Sequence, residues 1–113
     1  MSKTLTFGEV IGCESPTVLV FYDKSKKNEE ITVTDGLTKL TILYGGEISA
    51  IKLDINDNKS LSDTLRVEST PLTYIYQNGR AMYRTKGFNQ HYSMIVKLIA
   101  RYLKNIIGDK ASG

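Results

Sequence analysis

The chain has 113 residues, of which 41% are hydrophobic and 24% charged, with a formal net charge of +3. This is the composition of one folded domain and excludes a disordered, collagenous or coiled-coil chain. The single cysteine, Cys13, excludes an internal disulfide framework, a zinc site built on paired thiols and an intramolecular dithiol couple.

Residues 17–22, Thr-Val-Leu-Val-Phe-Tyr, are a continuous β-branched and aromatic run, which predicts a strand buried on both faces. A polar stretch follows. Then Ile31, Val33, Leu37, Leu40, Leu43 and Tyr44 recur at loosely helical spacing. They predict a helix over 28–44, with Asn28 or Ser25 as its cap and Glu29 and Glu30 at its positive end. Thr32-Val33-Thr34 and Gly36 weaken that helix, and Gly45-Gly46 ends it. Residues 48–55 predict a second strand, 59–65 a short helix capped by Asn56 or Asn58, and 72–77 a third strand. Asn78-Gly79 is a strong hairpin signal. Residues 80–86 return as a fourth strand, broken by Gly87. A last helix is expected over 90–107, with an apolar stripe of Ile95, Leu98, Ile99, Tyr102, Leu103 and Ile106. The remaining residues, 108–113, read as a flexible tail, and the core of the single domain as 16–107. Strand–helix–strand implies a parallel crossover and the hairpin adds antiparallel strands, so the expected class is α/β with a mixed sheet flanked by helices.

In this order and spacing the chain resembles the thioredoxin superfamily. The resemblance is carried by Val18-Leu19-Val20-Phe21-Tyr22, by Ala50-Ile51-Lys52-Leu53-Asp54-Ile55-Asn56, by Val67-Glu68-Ser69-Thr70-Pro71-Leu72, by Asn78-Gly79-Arg80, and by Gly87 before the last helix. The span from Phe21 to Gly87 can be laid on the usual thioredoxin spacing without an insertion. The resemblance implies the thioredoxin fold, with a cis Thr70–Pro71 bond beside the loop that carries activity in the family.

The same register places Lys26 at the family's tryptophan and Lys27 and Glu30 at the two cysteines of Trp-Cys-Gly-Pro-Cys. Phe21 takes the place of a buried aspartate that assists proton transfer in the family, while Lys52, which lies near that aspartate, is kept and reads as an ordinary strand lysine. Disulfide exchange needs an attacking thiolate and a resolving thiol, and neither lysine nor glutamate supplies one. Catalytic residues are therefore not expected. The resemblance implies instead a redox-inactive module that binds a protein or an extended peptide segment in the ancestral substrate groove, formed by Lys26, Lys27, Asn28, Thr70, Pro71, Gly87 and Phe88. The alternative is a divergent thiol–disulfide oxidoreductase that acts through Cys13 or a thiol supplied by a partner.

Charge adds a second surface. From Arg80 onward there are seven Lys/Arg and one Asp, against eight Lys/Arg and eleven Asp/Glu before it. Arg80, Arg84 and Lys86 on the hairpin, with Lys97, Arg101 and Lys104 on the last helix, form a candidate basic face for an acidic protein surface. No RNA-binding motif frames it, so nucleic acid is not the expected partner. His91 has no Cys, Asp or Glu at ligand spacing and reads as a surface residue, so no metal or other cofactor is expected. No stretch reaches the roughly 18 apolar residues of a membrane span, and the N-terminus lacks the apolar core of a signal peptide. A cytoplasmic, reducing setting is expected unless a leader has been removed.

Overall fold

Six consecutive residues with no exposed member, Thr17–Tyr22, make β1. A strand apolar on both faces needs cover on both, and the computed structural model, which describes residues 14–112 and side chains as far as Lys104, supplies it. β1 pairs in parallel with β2, Ser49–Asp54, and antiparallel with β3, Leu72–Gln77. β3 turns back into β4, Arg80–Lys86, which completes a four-stranded sheet in the order β2-β1-β3-β4. Among the described residues three helices flank it: α1, Glu29–Tyr44; α2, Lys59–Thr64; and α3, Tyr92–Ser112.

The period-2 alternation of strands divides the core in two. Val18, Val20, Tyr22 and Ile75 point to one face, where Val33, Leu37 and Leu40 of α1 and Ile95, Ile99 and Tyr102 of α3 cover them. Leu19, Phe21, Leu53, Leu72, Tyr74 and Tyr76 point to the other, under Leu61, Leu65 and Val67. Burial of each such large apolar side chain contributes roughly 1.5–3 kcal/mol relative to exposure.

Local signals account for the boundaries. Asn78 and Gly79 have φ of 54° and 79°, the pair of left-handed residues that a two-residue hairpin of right-handed twist requires. Gly45, with φ 58°, ends α1 and donates its N–H to the Thr41 carbonyl. Asn28 stands at the N-cap of α1, but its side chain makes no capping bond. Gly36 sits at the closest approach of α1 to the core: a Cβ there would collide with the ring of Phe88.

Two expectations are corrected. Ile31 and Leu43 are 62% and 57% exposed, because the buried stripe of α1 is Val33, Gly36, Leu37 and Leu40. α3 runs on to Ser112, past the expected helix end at residue 107.

Candidate functional site

The loop between β1 and α1 is shaped by Asp23. Its Oδ1 accepts hydrogen bonds from the Ser25 N–H (2.9 Å), the Ser25 hydroxyl (2.6 Å) and Asn56 Nδ2 (3.0 Å). These bonds hold the Asp23 carboxyl below the usual carboxylate range, with the Ser25 hydroxyl the largest cause. The Lys26 N–H donates to the Asp23 carbonyl at 3.0 Å, and the Glu29 N–H to the Lys26 carbonyl at 3.1 Å. Asp54, buried at the end of β2, accepts from the Lys24 N–H (3.2 Å) and from Asn56 Nδ2 (2.9 Å). This scaffold presents Lys24, Lys26 and Lys27 to solvent.

Across from that loop the Thr70–Pro71 bond is cis. Lys26 Nζ donates to Thr70 Oγ1 at 3.2 Å and so joins the two segments. Gly87 closes the third side: its N–H donates to the Pro71 carbonyl at 2.7 Å, and its own carbonyl accepts from the Thr73 hydroxyl at 2.7 Å. Gly87 has φ 95°, a conformation that favours glycine. The Thr70 N–H and C=O have no hydrogen-bond partner among the described residues. Of the seven expected groove residues, the structure brings together Lys26, Thr70, Pro71 and Gly87. Lys27 and Asn28 are exposed on the adjoining turn. Phe88 is not a groove wall. It is fully buried in the core against Gly36 of α1, because the chain turns inward after Gly87.

At the start of α1, the part-exposed Glu30 side chain reaches over to β1 and β2. Its Oε2 accepts from Lys52 Nζ at 3.1 Å and from the Tyr22 hydroxyl at 3.1 Å. Lys52 Nζ also donates to the Thr34 hydroxyl at 2.7 Å and lies 5.4 Å from the Tyr22 ring centroid. Lys52 is thus more than a strand lysine: it ties β2 to the first turns of α1. The Lys52 hydrogen bond, and then that of Tyr22, holds the Glu30 carboxyl below its ordinary value. Burial, with Glu30 adding, pushes the Tyr22 hydroxyl up to about 12. Phe21 is fully buried on the other face, edge-on to Tyr74 with ring centroids 6.2 Å apart. The site therefore holds ammonium groups, a hydroxyl and an internally bonded carboxylate. Cys13 lies outside the described residues.

The basic face divides. Directly opposed residues of paired strands share a sheet face. Arg84 opposes Tyr74 whereas Arg80 opposes Gln77, with a register shift between Ile75 and Tyr76. Tyr74 and Gln77 are three apart in a regular strand, so their partners face opposite ways. Arg80 lies on the side of α3, with the exposed Lys97, Arg101 and Lys104. Arg84 and Lys86 lie on the side of α2, where Arg84 Nε donates to the Tyr74 hydroxyl at 3.0 Å and its guanidinium covers the Tyr74 ring.

A separate concavity of about 300 Å³ opens between α1 and β2, bordered by Leu37, Thr38, Ile42, Ala50 and Lys52. None of the residues that meet at Thr70–Pro71 lines it. Among the described residues no group of His, Cys, Asp and Glu is arranged to hold a metal ion, and no helix is long and apolar enough to cross a membrane.

No protein-family model and no curated protein sequence matches the chain. Solved structures do. A malarial protein is 26% identical, with a TM-score of 0.68, over 79% of this chain and 98% of the other. The thioredoxin of Malassezia sympodialis, Mala s 13, is 15% identical, with a TM-score of 0.70, over 86% of this chain and 83% of its own. A chain from the structure of the thiol-resolving system of a yeast mitochondrial 1-Cys peroxiredoxin is 20% identical, with a TM-score of 0.70, over 84% and 86%. At such identities it is the backbone that is shared. A mixed sheet ordered β2-β1-β3-β4, with α1 and α3 on one face and α2 on the other, and these likenesses make the chain a thioredoxin-fold protein.

Proposed function

We propose that the chain is a redox-inactive thioredoxin-fold module that binds an extended segment of a partner protein along Thr70. The observation that carries this reading is a contrast at one site. The turn into α1 holds Lys27, and the first turn of α1 a Glu30 engaged by Lys52 and Tyr22. Beside it, the Thr70 main chain is left without a partner among the described residues. Unpaired N–H and C=O groups next to a strand are what an added strand pairs with. Lys26, Lys27 and Asn28 border one side of the bound segment and the Pro71–Gly87 contact the other. A lone thiol and no dithiol suit a reducing cytoplasm, where we place the protein.

Titrating the isotope-labelled chain with an extended octapeptide that alternates Val and Gln tests this. Amide shifts are expected at Thr70, Leu72 and Gly87, and insulin reduction is expected at the uncatalysed rate. Insulin reduction at the rate of a dithiol thioredoxin, or peptide shifts confined to other surfaces, would overturn the proposal.

A further inference from the structure

We propose that the Thr70 groove selects acidic segments, with a carboxylate side chain of the bound peptide docking on Lys26 Nζ and the Thr70 hydroxyl and Lys27 close by. This rests on the groove reading above and adds the chemistry of its partner. Lys26 Nζ has three N–H donors. One goes to Thr70 Oγ1 at 3.2 Å, and the carboxylate of Glu29, three residues on at the start of α1, forms an ion pair with it at 3.7 Å. Thr70 Oγ1 accepts that bond, which leaves its own O–H without an acceptor among the described residues. An ammonium N–H and a hydroxyl O–H are therefore available together, beside the unpaired Thr70 main chain. Both are donors, and a carboxylate is the peptide group that accepts from two donors at once with charge assistance.

The local charges point the same way. Lys24, Lys26 and Lys27 are exposed within four residues, with no carboxylate among them. The surrounding carboxylates already have hydrogen-bond or ion-pair partners. Glu30 is held by Lys52 and Tyr22, Asp23 by Ser25 and Asn56, and Asp54 by Asn56 and the Lys24 N–H. Glu29 Oε1 accepts from the Asp23 N–H at 3.2 Å. Lys27 has no ion pair among the described residues. A carboxylate arriving at the rim therefore meets the remaining donors of Lys26 and Thr70 and the exposed Lys27, not a carboxylate lacking a partner.

The probe is a pair of extended octapeptides, one alternating Val and Gln and the other Val and Glu, titrated at low ionic strength and followed by amide shifts. The Glu peptide is expected to bind the groove about three- to tenfold more tightly, as befits one or two exposed ion pairs, and the preference is expected to shrink in about 0.5 M salt. Changing Lys26→Gln and Lys27→Gln together is expected to abolish the preference. Reversal of Lys97 and Arg101 to Glu, on α3, is expected to keep it. Equal affinity of the two peptides, both shifting Thr70 and Gly87, would overturn acid selection and leave the groove reading intact. Shifts from the Glu peptide confined to α3 and β4, or no shift with either peptide at millimolar concentration, would overturn both.

Discussion

Glu30 is the residue on which the character of the site turns. Its carboxylate is stabilised by Lys52 and Tyr22 and titrates below its ordinary value. A depressed folded value means stabilisation that is complete above the unfolded value and lost as pH falls through the folded one. Glu30→Gln is therefore expected to lower stability at neutral pH, with the difference from the unchanged chain vanishing in acid. Urea denaturation at a series of pH values reads this, and a difference constant down to the lowest pH would show that the carboxylate charge is not what matters. The side-chain identity of Glu30 was plain in the sequence. Its role was not, since Lys52 is 22 residues away and Tyr22 only eight, and the three meet only once β2 has paired with β1. Phe88 was misread for the same reason. Beside Gly87 it reads as part of a loop, and only the gap left by Gly36 shows that its ring belongs inside.

At the scale of elements, what is encoded locally was legible. β3 and β4 have the expected bounds because a left-handed Asn78-Gly79 pair sets their turn. β1 was legible because its six residues need cover on both faces. The stripe of α1 was legible only in part, since a glycine contributes to it. Gly36 is a weak helix residue, by about 1 kcal/mol relative to alanine, yet Gly36→Ala is expected to destabilise. The added Cβ meets a fully buried ring, and overpacking of this kind costs typically 1–3 kcal/mol, more than the gain in propensity. The expected net loss is up to about 2 kcal/mol in urea denaturation, and a smaller Phe88→Leu ring replacement should recover part of it. A more stable Gly36→Ala protein would mean that α1 can move away from Phe88 freely.

For the whole molecule, charge is distributed by position in the chain. Residues 80–104 carry six Lys/Arg and no Asp or Glu. The exposed cations of α3 have no ion pair among the described residues, so they contribute little to the fold. Changing Lys97 and Arg101 to Glu is expected to leave unfolding stability within about 0.5 kcal/mol while abolishing retention on a cation exchanger. A large loss of stability would place those cations in a network that holds α3. The expected single basic face could not be divided from sequence, because the division depends on where the register shifts.

That shift, between Ile75 and Tyr76, bears on how the sheet ends. β4 closes it at one side, with no strand beyond it among the described residues. A flat, apolar margin of this kind invites a second copy to add a strand and a third to follow. Here the margin is bent by one extra residue and armed on both sides, with Arg80 toward α3 and Arg84 and Lys86 toward α2. An incoming identical strand would meet like charges whichever face it approached and could not match the kink. The irregularity that splits the basic face thus also works against strand addition at this margin.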